Sequence, residues 1–237
     1  MFFSITRSLH WLLATTLLAA VGATFYFSLN HPITADLAML HYSAWLINEK
    51  NFVLYRDIFD INFPAPYLFH SILGNALGYE ALPLRWVDLF LLTTLGFASW
   101  KIISPLSKPA AITGFSLFCL LYWVNGGEFV LERDVLALIP AALAFAIVCD
   151  NKITKNIIIL SGVLTAIACS MKPNTIVMMP VLLWVLHSNC AGKKIITIAL
   201  FLLSMLFVAL IPFSWAITQG GWDSFVDIYR HYLPIYA

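Results

Sequence analysis

The chain has 237 residues, of which 61% are hydrophobic and only 11% are charged, and its formal net charge is +1. Ordinary globular domains are roughly 25% charged. A soluble fold of this size could not hide so much apolar surface, so composition predicts a polytopic membrane protein. With no basic cluster larger than Lys193-Lys194, nothing in the chain calls for a nucleic-acid partner.

Arg7 precedes a long apolar run, Leu9–Leu29. The apolar core of a signal peptide is roughly 7 to 15 residues. This run is longer and others follow it, so it reads as an uncleaved first span. The next stretch, Thr34–Pro66, is the longest polar interval and carries Asp36, Glu49, Lys50, Arg56, Asp57 and Asp60. Leu37, Leu40, Ala44 and Ile47 are spaced for one helical face, which predicts an amphipathic helix on the membrane surface. Asp36 falls in its first turn, where a carboxylate suits the positive end of the helix dipole. The same place would suit a general base reached from both the membrane and the outside. Arg56, Asp57, Asp60 and Asn62 precede Pro64 and Pro66. They read either as a solvated turn with a weak local ion pair or as the lining of a substrate pocket.

Further spans are expected at Leu84–Ile103, Lys108–Asn125, Asp134–Cys149, Asn156–Met171, Asn174–His187 and Ile195–Thr218, the fourth to sixth of the seven being short. Pro140, Pro180 and Pro212 fall inside spans, which neighbouring helices can tolerate. Pro64–Tyr79 is uncharged and could cross or lie flat. If it lies flat, Arg7, Lys101, Lys108, Lys152, Lys155, Lys193 and Lys194 all fall on the cytoplasmic side, as the positive-inside rule favours. The short loops Ser104–Ser107, Asp150–Lys155 and Ser188–Lys194 are then cytoplasmic. Of the 12 acidic residues, only Asp150 shares that side; the rest face out, with Arg56, Arg85, Arg133, Lys172 and Arg230. The expected organisation is all-α and a single bundle. A first span at 9–29 leads to an external loop at 30–83 with two surface helices. Six spans over 84–218 and an external tail at 219–237 follow.

Two more outward groups stand at membrane re-entry points. Glu132-Arg133-Asp134 would cost free energy there unless the charges pair or line a wet cavity. Arg133 could offer a bidentate fork to a phosphate, and Glu132 and Asp134 could hold a divalent cation. The plain alternative is a self-neutralising cluster that anchors a helix end. Lys172, before Pro173, could act on a phosphate or snorkel to the interface. The histidines lack metal-ligand spacing. Cys119, Cys149, Cys169 and Cys190 lie in or beside apolar runs and read as small fillers.

The order of these features resembles the GT-C superfamily of membrane glycosyltransferases, and within it the protein-mannosyltransferase-like and lipid-A-sugar-transferase-like members. The resemblance rests on Asp36 opening the helix Ala35–Asn48, on Asn62-Phe63-Pro64-Ala65-Pro66 before the helix Tyr67–Gly78, on Glu132-Arg133-Asp134 and on Lys172. It covers about Leu9–Leu186. Many members carry an Asp-Glu pair where Asp36 is followed here by Leu37. Members are usually several hundred residues longer, so the resemblance implies a chain incomplete at its C-terminus. It also implies transfer of a hexosyl or pentosyl group from a polyprenyl-phosphate-linked donor to a glycan, lipid or protein acceptor, at the outer face of a bacterial inner membrane. Asp36 would be the base, Arg133 and Lys172 would hold the lipid phosphate, and Arg56, Asp57 and Asp60 would line the substrate pocket. A single displacement would invert the anomeric centre. Where members use a divalent metal, Glu132 and Asp134 would be its ligands. The competing expectations are a transporter or flippase for lipid-linked sugars and an inactive truncated member. A transporter should carry its polar groups near the bilayer midplane in paired halves; here they gather on one side.

Overall fold

The structure, a computed structural model, describes residues 2–124, 127–149, 153–189 and 194–236. Asp150, Lys152, Lys193 and Cys190 lie outside the described residues. The chain is all-helical, 82% helix, and has no strands among the described residues. The helices are α1 (Phe2–Ser28), α2 (Ala35–Lys50), α3 (Pro64–Leu77), α4 (Ala81–Ile103), α5 (Lys108–Val124), α6 (Arg133–Val148) and α7 (Lys155–Met171). A 3-10 helix (Pro173–Met178) then leads into α8 (Met179–Asn189), α9 (Lys194–Thr218), α10 (Trp222–His231) and α11 (Leu233–Tyr236).

Among the described residues, three helices are long and apolar enough to cross a membrane: Ser8–Ser28 within α1, then α4 and α9. They turn large apolar side chains outward, among them Leu12, Phe90, Phe97, Leu203 and Phe207. Exposed apolar surface on this scale suits contact with lipid. Helices α5 and α7, 17 residues each, are shorter apolar helices.

The run Asn174–His187, expected as one span, is instead a 3-10 helix followed by α8, which has only 11 residues. Pro180 supplies the reason. It has no amide hydrogen to donate, and it stands at the second position of α8, where a missing donor costs nothing. At 1.5 Å per residue α8 is about 16 Å long. Pro140 and Pro212 do lie inside α6 and α9.

The bundle is antiparallel where it matters for the site. Helix α7 packs on α6 and α9, α4 packs on α5 and α6, and α1 packs on α5. A Cβ at Gly162 of α7 would collide with Ser204 and the Phe201 carbonyl of α9, so this small residue permits the close crossing. One end of the bundle gathers Lys101, Lys108, Lys155 and Lys194, at the C-terminus of α4 and the N-termini of α5, α7 and α9. The other end gathers the starts of α2 and α6 and the end of α7.

That second end is roofed by α2, α3 and α10. Helix α2 buries Leu37, Leu40, Ala44 and Ile47, the face its spacing marks, together with His41 and Ser43. Leu40 and Ile47 join Leu54, Tyr55, Tyr67, Ala216, Phe225 and Ile228 in one apolar cluster. Phe225 and Ile228 come from α10, so the expected tail is a helix docked on the first loop. Its pattern WDSFVDIYRH puts Phe225, Ile228 and Tyr229 on one face three and four apart, and Tyr229 lends its hydroxyl to the Ile61 carbonyl at 3.0 Å.

Candidate functional site

Arg133 opens α6, with Glu132 as the N-cap residue and Asp134 in the first turn. Asp36 holds the matching place in α2. Both helices present their N-termini, where unpaired amides and the dipole favour negative charge. The guanidinium of Arg133 spans two elements of the first loop. Its Nε and Nη2 donate to Asp36 Oδ2 at 3.3 and 3.1 Å, and its Nη1 donates to Asn62 Oδ1. Asp36 and Arg133 are 97 positions apart in sequence, so this one side chain ties the first loop to the start of α6.

Asn62 is itself held from two sides. The Tyr55 hydroxyl donates to its carbonyl at 2.6 Å, and its amide hydrogen goes to Asp60 Oδ1 at 2.7 Å. Asp60 therefore braces the residue that meets Arg133. Burial, chiefly, pushes the Tyr55 and Tyr67 phenols far up, with the Asp60 carboxylate adding to it. Both phenols stay neutral, and the Tyr55 hydroxyl is the one that donates in this turn.

Lys172 is the C-cap residue of α7, donating its amide to the Ala168 carbonyl. A cation suits that end of a helix. Its ammonium pairs with Asp134 Oδ1, and both side chains are half-exposed. Glu132 sits among all of these. Burial raises its carboxyl pKa, the Asp134 and Asp36 charges raise it further, and Arg133 and Lys172 pull it back down.

Asp36, Glu132, Arg133, Asp134 and Lys172 thus come together, though three separate segments carry them. Arg56 and Asp57 do not join them. Their side chains pair with each other at 2.8 Å, 55% and 32% exposed, and Asp57 also accepts the Val53 amide. This is the solvated turn, not a pocket lining at the Asp36 site. The suggestion that Glu132 and Asp134 hold a divalent cation finds no ligand set. Among the described residues no three His, Cys, Asp or Glu side chains gather around a point. Asp134 already faces an ammonium, which opposes a second cation there, and the Glu132 carboxyl is pushed toward its neutral form.

An apolar cavity of about 260 Å³ runs between α3, α7 and α9, lined by Leu68, Phe69, Ile72, Ile167, Met171 and Ile211, among others. Met171 is the residue before Lys172.

Two functional candidates escaped the sequence reading. Arg85 and Asp88, expected among the outward charges, are buried inside α4 at 1% exposure each. The correction has a physical cause in their partners. Arg85 Nη2 donates to the His31 and Pro32 carbonyls at 3.1 and 2.9 Å. Asp88 accepts from the Tyr122 hydroxyl at 2.5 Å and from Trp123 Nε1 at 3.3 Å. Two charges three apart in an apolar helix were a legible signal. The fold and site define an all-helical protein with helices long and apolar enough to cross a membrane and a cluster of paired charges at one end. Comparison with models of protein families, with curated proteins and with solved structures gives no match.

Proposed function

We propose that this chain is a membrane glycosyltransferase of the GT-C kind, moving a sugar from a polyprenyl-phosphate carrier to an acceptor hydroxyl or amine. The observation that carries this reading is the meeting of Asp36, Arg133 and the Lys172–Asp134 pair, with an apolar cavity whose lining includes Met171, the neighbour of Lys172. A lipid-linked donor has an apolar chain and an anionic head, and the site offers both surfaces side by side. In the reaction the acceptor oxygen or nitrogen forms a bond to the anomeric carbon. The bond from that carbon to the phosphate oxygen breaks, and the polyprenyl phosphate leaves with the electron pair. Asp36 takes the acceptor's proton. Arg133 and Lys172 stabilise the charge that grows on the phosphate, the kind of preorganised cationic help that most lowers such barriers. The half-exposure of these side chains leaves room for donor and acceptor to enter.

The topology proposed with it has seven crossings: α1, α4, α5, α6, α7, the 3-10 helix with α8, and α9. Helices α2, α3 and α10 lie on the external, periplasmic face of a bacterial inner membrane. The lysine-bearing end is cytoplasmic, which agrees with the positive-inside rule. A reporter fused after Lys108 should read cytoplasmic; an external signal there would overturn this topology. The activity itself is tested with the full chain in lipid nanodiscs and radiolabelled polyprenyl-phosphate sugars. Transfer to added acceptor is expected, and Lys172→Met should raise the donor KM about tenfold, the scale of one lost charge-assisted contact. Binding of the carrier without any transfer, under a full panel of donor sugars, would favour a transporter and sink the enzyme reading.

A further inference from the structure

Among the described residues, four other than glycine have a positive φ, and two of them stand directly before the two halves of the site. Ala35, φ +52, precedes Asp36; Leu131, φ +52, precedes Glu132. Left-handed backbone is costly for residues with a Cβ, and it persists only where the surroundings hold it. What holds it here is α4. On one side Arg85 grips the His31 and Pro32 carbonyls, just upstream of Ala35. On the other, the Leu131 amide donates to the Tyr122 hydroxyl at 3.3 Å, and that hydroxyl is fixed by Asp88.

The guanidinium also shapes the loop before α6. Gly127, φ +96, lies so close that a Cβ there would be 3.0 Å from Arg85 Nη2 and 3.1 Å from Nη1. Nη1 has no hydrogen-bond partner among the described residues. A fully buried guanidinium left one donor short is expensive, and apolar residues of similar volume would pack α4 against α5 and α6 as well. The arrangement makes sense if the charge earns its place by fixing loops.

We propose that Arg85 and Asp88 are positioning residues: from adjacent turns of α4 they hold the two strained approaches, Ala35 and Leu131, so that Asp36 meets Arg133. Neither residue touches the reacting groups. The catalytic consequence rests on the transferase reading above, but the mechanical claim does not.

The test uses the full chain in nanodiscs, as wild type, Arg85→Lys, Asp88→Asn and Tyr122→Phe, and reads amide hydrogen exchange alongside transfer. Tyr122→Phe and Asp88→Asn should speed exchange at Leu131 at least tenfold. Arg85→Lys should do the same over residues 33–38, where the Ala38 amide bonds the Thr34 carbonyl. Exchange in α7 and α9 should stay within twofold. Transfer should lose roughly 10- to 100-fold in kcat with the donor KM within twofold, since a misplaced base costs rate and not binding. Adding Ala35→Gly, which relieves the strain that Arg85 holds, should lower kcat further in the Arg85→Lys background. Unchanged exchange in both loops would overturn the proposal. So would a rise spread over α7 and α9, which would make the pair mere core packing, or a KM effect in place of a kcat effect. If the wild type transfers nothing while the loops respond as stated, the enzyme reading falls and the coupling stands.

Discussion

The first loop contains one arginine–aspartate pair, Arg56–Asp57, and shares a second, Arg133–Asp36, with the start of α6. The first joins sequence neighbours at the solvent edge and is 2.8 Å long. The second is looser at 3.1 Å, yet it closes a separation of 97 positions and places a third group, Asn62, on the same guanidinium. Separation in the chain and convergence of partners, more than distance, mark the pair that organises the fold. An exposed local pair gives up side-chain entropy for an attraction that water screens, and it nets about 0–1 kcal/mol. A partly shielded guanidinium with two carboxylate bonds and an amide oxygen is worth more, because losing it leaves several acceptors unpaired.

The largest expected effect separates these pairs by chemistry. Asp36→Asn keeps the shape of the side chain and removes its basicity. Transfer should fall by about 10²–10⁴-fold, the range for loss of a general base, while membrane insertion and the fold stay as they were. Wild-type transfer by this variant would remove Asp36 from the mechanism.

Next in size is Arg133→Met. It should cost about 1.5–3 kcal/mol of stability and lower transfer as well, since the phosphate loses its fork. A double-mutant cycle with Asp36→Asn isolates the pair. Coupling of about 0.5–3 kcal/mol is expected for residues in direct contact, measured by thermal unfolding in detergent. A coupling near zero would mean that Arg133 and Asp36 are neighbours without mutual support.

The pH response sharpens the picture further. Glu132 is raised, first by burial and then by Asp134 and Asp36. The folded state therefore holds this proton more tightly than the unfolded chain does. Stability from Glu132 is fully present below the ordinary carboxylate pKa and is lost as pH rises through the raised value. His70 pulls the other way. Burial first, then His41, pushes it down to about 3, so its contribution is lost as pH falls from the ordinary imidazole range toward that value. Glu132→Gln should flatten the falling limb just above the carboxylate range and leave the histidine limb in place. An unchanged melting profile between pH 4 and 7 would place Glu132 in free solvent.

What could be read in the sequence follows from what each signal reports. Periodicity reads one helix at a time, so it found the buried face of α2. The count of lysines reads helix ends: Lys101 falls at the C-terminus of α4, and Lys108, Lys155 and Lys194 open α5, α7 and α9. Neither signal sees which side chains meet. That Asp36, Arg133, Asp134 and Lys172 converge was argued from their shared side, and antiparallel packing of α6 on α7 supplied the contact. The break before α8 was missed because an apolar run looks the same in 3-10 and α form; Pro180 was the available cue. Helix α10 was missed because its apolar face is short and its partner, the Leu54–Tyr55 turn, lies far upstream. Arg85 and Asp88 were placed outside because charge alone was counted, and their partners are backbone carbonyls and aromatic donors that no motif announces.

The smallest effect returns to the exposed pair. Arg56→Ala and Asp57→Ala should each leave the thermal unfolding midpoint nearly unchanged, as surface substitutions away from packed features do, and should leave transfer within about twofold. Asp57 has somewhat more to lose, because its carboxylate also takes the Val53 amide at 2.8 Å and so helps shape the turn. Arg56, though not Asp57, does border a cavity of about 430 Å³ that it shares with Phe59, Asp223, Asp227 and Tyr232. If Arg56→Ala lowered transfer tenfold or more with the fold intact, that cavity, and not solvent, would be where Arg56 acts, and the line drawn between the two arginine–aspartate pairs would have to move.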